Sequence, residues 1–314
     1  MLLLLDSASL YFRAFFAIKE SITAPDGRPV NAVRGFTDMV AALINRHQPT
    51  RVVACLDLDW RPQFRVERIP TYKSHRLDTS AGAKPGEEIV PDALEIQVPM
   101  LLDILAAAGI ARAGAAGCEA DDVIGTLAAQ ELSDEVVVVS GDRDLLQVVR
   151  EEPNPVRVYY VGRGLAKAEL YGPAEVAAKY GVPAERAGAA YAELALLRGD
   201  ASDGLPGVKG VGEKSASSLL LTYGSLAAAR AAAVDPNSDL SQSMRAKLTA
   251  ADDYIEAALP VVRVLRDAEV KMSGSDVLPA EPDDLERLQE LGTALNAESP
   301  VARLITAMRN RAGA

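Results

Sequence analysis

Apolar and polar positions follow two rhythms along this chain. Short unbroken apolar runs at Leu2–Leu5, Val52–Leu56 and Val136–Val139 read as strands buried on both faces. Between them, apolar residues recur at helical spacing over roughly 33–46, 92–108 and 120–132, and Gly109 supplies a helix stop. Strand alternating with helix predicts an α/β fold with a parallel sheet flanked by helices. Residues 77–88, "LDTSAGAKPGEE", are rich in Gly, Pro and small polar residues and read as a mobile loop. From about residue 186 the strand signal fades. Alanine-rich helical stretches take over, broken by glycines at 204–212 and by polar turns near 235 and 273. The expected division is an α/β core over 1–185 and a helical region over 186–314.

Composition narrows this picture. The 314 residues suffice for one large domain or two ordinary ones, and 49% are apolar, enough for a sizeable core. The two cysteines, Cys55 and Cys118, have neither disulfide-framework nor zinc-motif spacing, which fits a reducing cytoplasm. "MLLLL" is cut short by Asp6 before a signal-peptide core forms, and no segment has transmembrane length, so no membrane partner is expected. The formal charge of −11 argues against a polyanionic partner. Residues 61–76 reverse that locally, with Arg61, Arg65, Arg68, Lys73 and Arg76 against Glu67 alone.

Each predicted strand runs into an acid: Asp6, then Asp57, then Asp142 and Asp144 in "SGDRDLL". Ligands of an open parallel sheet bind beyond the carboxyl ends of its strands, so these acids converge on one edge. "GCEADDVIGTLAAQ" opens a helix with Glu119, Asp121 and Asp122, and "RGDASDG" adds Asp200 and Asp203. One aspartate after a strand is usually a turn residue or helix cap. So many acids in one cleft could not all stay ionised without cations. Oxygen ligands favour Mg²⁺ or Mn²⁺, and more than four carboxylates exceed one Mg²⁺ site. Two such ions clamp the attacking and leaving oxygens of a phosphodiester. Other chemistries find little support. His47 and His75 read as surface residues, Cys55 and Cys118 as packing, and Trp60 as an anchor for the basic excursion.

A second stretch, "GLPGVKGVGEKSASSLL", places Gly207, Gly210 and Gly212 before a predicted helix, with Lys209 and Lys214 among them. On its own this stretch reads equally as an ordinary helix–turn–helix with a glycine stop; its proximity to Asp200 and Asp203 favours a hairpin whose amides bind phosphate and position a duplex without reading its sequence.

Together "YFRAFFA", "YKSHR", "GCEADDVIGTLA", "VVVSGDRDLLQVV" and "GDASDGLPGVKGVGEKSA" resemble the 5′ nucleases: the 5′-nuclease domain of bacterial DNA polymerase I, phage 5′ exonucleases and flap endonucleases. The resemblance spans about 1–270, and the expectation is a member similar to the stand-alone bacterial ones, without a polymerase portion. It implies a PIN-like core with a mixed sheet, a helical arch over about 61–90 and a helix–three-turn–helix over about 194–224. By the same resemblance, Asp6, Asp57, Glu119, Asp121 and Asp122 would surround one metal, and Asp142, Asp144, Asp200 and Asp203 another. Lys73 and Arg76 would contact the scissile phosphate from a mobile arch, and Tyr72 would stack on a base. Arg13, the hairpin's Gly207, Lys209, Gly210, Gly212 and Lys214, and Ser215 would contact DNA, with K⁺ held by backbone carbonyls of the turn.

Ser7 and the "SDG" at 202–204 depart from the usual pattern without removing a carboxylate. The activity implied is structure-specific 5′-3′ exonuclease and flap endonuclease hydrolysis by a monomer. Its substrates would be 5′ flaps, nicks, 5′ ends and RNA–DNA hybrids in replication and repair. A haloacid-dehalogenase-like phosphatase is the rival enzyme, since "DLD" at 57–59 mimics its motif, but Arg61 stands where that motif takes Thr or Val. A non-catalytic DNA-binding module would have no use for this many acids.

Overall fold

The computed structural model describes residues 1–80, 83–84 and 86–312. Seven strands form one sheet: β1 (Leu2–Asp6), β2 (Arg51–Cys55), β3 (Ala111–Gly114), β4 (Val136–Ser140), β5 (Val156–Tyr160), β6 (Glu169–Tyr171) and β7 (Lys271–Met272). Their order is β6-β5-β4-β1-β2-β3-β7. The five inner strands are parallel, and β6 and β7 close the edges antiparallel, giving a mixed sheet. Sequence patterning finds β1, β2 and β4, whose apolar runs are buried on both faces. It misses β3, β6 and β7, which are short or edge strands, and also the interior strand β5, whose apolar run is broken by Arg157.

The helices are α1 (Ser7–Ala17), α2 (Asn31–His47), α3 (Gln63–Arg68), α4 (Asp92–Glu95), α5 (Val98–Ala108), α6 (Ala120–Gln130), α7 (Pro173–Tyr180), α8 (Ala187–Arg198), α9 (Glu213–Tyr223), α10 (Leu226–Val234), α11 (Gln242–Ala250), α12 (Asp252–Val262), α13 (Leu285–Ala294) and α14 (Glu298–Ala312). The single helix expected over 92–108 is broken between α4 and α5. The break turns the buried Gln97 toward the start of α2, where its Oε1 accepts from the Ala32 amide at 2.8 Å. That bond satisfies one of the donors a helix N-terminus leaves open.

Two apolar layers sandwich the sheet. One joins Leu2, Leu4, Val53, Val136 and Val138 to α6 and to helices α8–α12. The other joins Leu3, Leu5, Val52, Val137 and Val139 to α2, α5, α13 and α14. The helical stretch after residue 186 is thus shared between both faces of the sheet. Of the expected loop at 77–88, residues 81, 82 and 85 lie outside the described residues. At its base Leu77 and Glu88 form an antiparallel bridge, and the Ile89 amide donates to Arg76 O at 2.8 Å.

Helix α8 crosses the 3₁₀ turn at 144–148 at very close range. A Cβ on Gly188 would lie 2.5 Å from the carbonyl oxygen of Gln147 and 2.8 Å from that of Val149. Alanine is worth about 1 kcal/mol more than glycine inside a helix, but overpacking costs about 1–3 kcal/mol, and here the obstacle is backbone. Gly188→Ala should therefore lower stability. A denaturant midpoint above wild type at unchanged slope would contradict this packing.

Candidate active site

Strand register gathers the acids. Leu5 of β1 lies beside Val139 of β4, and Asp6 beside Cys55 of β2, so Asp6, Asp57 and Asp142 leave the sheet at the same edge. The strand order reverses between β1 and β4, where such sheets bind ligands. Asp6 ends β1 and caps α1, its Oδ1 accepting from the Ser9 amide at 3.1 Å, while its Oδ2 accepts from the Ser140 hydroxyl. Asp57 Oδ1 accepts from the Ala120 amide at 2.7 Å and so fixes the start of α6. Asp142 Oδ1 accepts from the Asp144 amide at 2.9 Å. Asp200 and Leu205 pair across the turn carrying Asp203.

These residues surround a cleft of about 790 Å³ lined by Asp6, Asp57, Glu119, Asp121, Asp142, Asp144 and Asp200, with Lys73 and Arg76 among them. Asp203 lies alongside, in a small cavity shared with Asp144 and Asp200. Among the described residues, no three Asp, Glu, His or Cys side chains stand ready-made around one ion.

The structure departs from three expectations. Asp122 does not face the cleft. It is fully buried, and both its oxygens accept from Arg65 at 2.7 Å, with the Leu265 amide donating to Oδ1 at 2.9 Å. Its neighbour Asp121 lies about 100° away around the helix and does face the cleft. Tyr72 is not placed to stack on a base, because it is buried with its hydroxyl donating to Glu119 Oε2 at 2.8 Å. The described part of the arch stretch is packed down onto the site. Lys73 Nζ lies 2.6 Å from Glu119 Oε1, and Arg76 donates to Ser202 O at 3.2 Å and stands 3.8 Å from Asp203. Lys73 holds a left-handed backbone at φ 47°, an uncommon conformation for a non-glycine residue.

The hairpin after α8 is built as the glycines require. Gly207 has φ 72°, and a Cβ there would lie 2.5 Å from the Gly199 amide nitrogen, so this glycine serves packing. Gly212 caps α9 and faces open space. Lys209 and Lys214 are exposed, and Ser215 is half-buried in the first turn of α9. Arg13 donates to Gly162 O at 2.6 Å. The carbonyl of Gly210 accepts from Lys247 Nζ at 2.9 Å, and that of Val208 from the Val211 amide at 2.9 Å.

Two family models match this chain. One, the 5′-3′ exonuclease N-terminal resolvase-like domain, covers residues 1–181, and the other, the 5′-3′ exonuclease C-terminal SAM fold, covers 187–285. The chain belongs to the 5′-3′ exonuclease family. A 5′-3′ exonuclease of Mycobacterium tuberculosis is 59% identical over 98% of this chain and 97% of its own. One of Streptomyces coelicolor is 48% identical over 98% and 99%. The flap endonuclease of bacteriophage T5, solved as a pseudo-enzyme-product complex with DNA and metal ions, shares the fold with a TM-score of 0.62 at 17% identity, over 100% of this chain and 99% of that one.

Sequence reading overlooked three residues of this nuclease. Arg65 counted only as one charge in a basic stretch, yet it is 2% exposed and carries Asp122 and Glu119. Arg198 and Tyr191 line the cleft from α8. Arg198 stands directly before the "GD" of Asp200, and that position was its one signal.

Burial and mutual repulsion set the electrostatics of the nuclease. Burial pushes the Asp6 carboxyl up to about 7, with Asp57 and Asp142 adding to it and the Ser140 hydroxyl and Ser9 amide opposing. Asp121 is pushed well up by burial, then by Asp142 and Asp6. Asp144 is raised by burial, then by Asp142, Asp203 and Asp200, with Arg198 opposing. A carboxyl raised in the folded state holds its proton there after the unfolded chain has lost it. Stability from this source is full below the unfolded value of 3.8 and is lost as pH rises through about 7. The metal-free protein should therefore melt several degrees lower at pH 8 than at pH 5. Millimolar Mg²⁺ should restore most of the difference, because cations binding the folded state offset the repulsion. Melting curves at both pH values, in chelator and in Mg²⁺, check this; a metal-free protein more stable at pH 8 would contradict it.

Proposed function

We propose that this protein hydrolyses DNA phosphodiesters as a structure-specific 5′-3′ exonuclease and flap endonuclease. In this reading it removes 5′ flaps and RNA primers during replication and repair. One observation carries the reading: an acid-lined cleft at the switch point of the sheet has Lys73 and Arg76 in its lining, and its Arg198 pairs with Glu213 at the start of the helix that follows a glycine hairpin with exposed lysines. Family membership and the DNA bound in the bacteriophage T5 complex support it.

The site suits divalent cations. Its donors are carboxylate oxygens, and Asp6, Asp121 and Asp144 are raised first by burial and then by neighbouring carboxylates, whose repulsion cations would relieve. Asp6, Asp57, Asp121 and Glu119 would hold one ion, and Asp142, Asp144, Asp200 and Asp203 another. Asp122 is withdrawn from the ligand set because Arg65 occupies it. When bound, Mg²⁺ or Mn²⁺ would stabilise charge on the attacking and leaving oxygens.

The chain itself does the remaining work. The amides at the start of α9, with Lys209 and Lys214, hold duplex phosphates and set the register of the 5′ end. Lys73 and Arg76 meet the scissile phosphate, where negative charge builds on its non-bridging oxygens. Tyr72 and Arg65 keep Glu119 oriented while Lys73 leaves it.

Lys73→Ala should lower the single-turnover cleavage rate of a 5′-flap substrate by about 10²–10³, with a much smaller change in affinity. Asp142→Ala should nearly abolish cleavage and leave binding largely intact, since it removes negative charge near phosphate. Denaturing gels of a 5′-labelled flap with Mg²⁺ or Mn²⁺ and in chelator read both. If Lys73→Ala cleaves at the normal rate once saturated, the residue is a docking contact only. Undiminished turnover of Asp142→Ala would overturn the metal assignment.

A further inference from the structure

Arg198 ends α8 between the two parts of the proposed DNA path. Its side chain lines the cleft with Asp144 and Asp200. Its Nη1 donates to Glu213 Oε2 at 2.7 Å, and Glu213 is the first residue of α9. The backbone of Arg198 has little freedom, because a Cβ on Gly207 would lie 2.6 Å from its carbonyl carbon and 2.7 Å from its carbonyl oxygen. The guanidinium sits over the Tyr191 ring at 5.9 Å from the centroid. Tyr191 is 1% exposed and also lines the cleft, with its hydroxyl buried.

The partner of Arg198 shows what the guanidinium is suited to hold. Glu213 places a carboxylate at a helix N-terminus, beside Gly212, whose Cβ direction is open. That is an environment for a phosphate, because the amides and the helix dipole favour an anion there. Glu213 is 55% exposed on its side chain and Arg198 is 20% exposed, so water screens the pair and either group can exchange its partner at little cost. Arginine takes phosphate through two parallel N–H donors, and that fork is wider than one carboxylate oxygen requires.

We infer that Arg198 is a further phosphate-binding residue, which releases Glu213 to take a backbone phosphate of the duplex between the hairpin and the acid cleft. The inference rests on the nuclease reading above, since it needs a duplex running from α9 to the cleft. Arg198 thereby couples seating of the duplex to the Asp144 side of the cleft.

Binding of a 5′-flap duplex, measured in chelator over a series of KCl concentrations, tests this. Each phosphate contact contributes about 0.9 to the slope of log affinity against log salt. Arg198→Met should lower the slope by about one and the affinity severalfold, and Arg198→Lys, which keeps the charge, should keep the slope. The same loss should appear when Arg198→Met is made in a Glu213→Gln background. If the loss vanishes in that background, Arg198 only screens Glu213 and the inference is overturned. A wild-type protein that fails to bind the duplex would sink the nuclease reading as well, and that outcome requires no variant to see it.

Discussion

The site depends on one buried arginine. Arg65 sends Nη1 and Nη2 to Asp122, reaches Glu119 at 3.2 Å, and donates through Nε to Val261 O at 3.0 Å. It thereby ties the start of the arch stretch, the first turn of α6 and the end of α12 at one point. Burying an ion pair gains little net stability, because desolvation consumes most of the attraction. Removing one partner is different: stranded charges cost about 3–5 kcal/mol. Asp122 would be stranded with no exposure at all. The clamp is therefore better understood as fixing geometry than as stabilising the fold. It closes a capping box with Asp122 at the Glu119 amide and sets the direction in which Glu119 presents its other oxygen.

That geometry shows what patterning along a chain can and cannot reveal. The strands β1, β2 and β4 are legible because parallel strands covered on both faces are continuous apolar runs. Strand β3, "ARAG", carries no such signal. Its Gly114 is small because Leu58 packs where a side chain would go, 2.8 Å from an added Cβ. Strand β5, "VRVYY", buries Val156 and Val158 with Arg157 between them, and that alternation was available to be read. The acids of "GCEADD" look alike as letters. Only the helical angle between Asp121 and Asp122, together with an arginine some 57 residues earlier, separates one that faces the cleft from one sealed in the wall. Long-range pairing of this kind leaves no local trace.

Net charge misled for a related reason. The total of −11 is a property of the whole surface, whereas a nucleic acid meets a local one. Much of the acidity near the cleft is withdrawn from solvent: Asp6, Glu119 and Asp122 are all under 5% exposed. The hairpin lysines, by contrast, stand free.

Lys73 draws these threads together. In the structure its ammonium already pairs with Glu119, and burial of the carboxylate by itself would push Glu119 toward its neutral form. The lysine thus supplies part of the charge that a cation would supply. In the proposed reading a scissile phosphate entering the cleft would be a second anion competing for the same ammonium. In that reading a divalent ion beside Glu119 would satisfy the carboxylate and leave Lys73 for the phosphate. Metal, lysine and substrate would then be coupled through one carboxylate, and the left-handed backbone at Lys73 fits a residue held at a strained position by the groups around it. The wall behind Glu119, with Tyr72 and Arg65 donating to the oxygen that Lys73 does not touch, lets the lysine leave without the carboxylate following it.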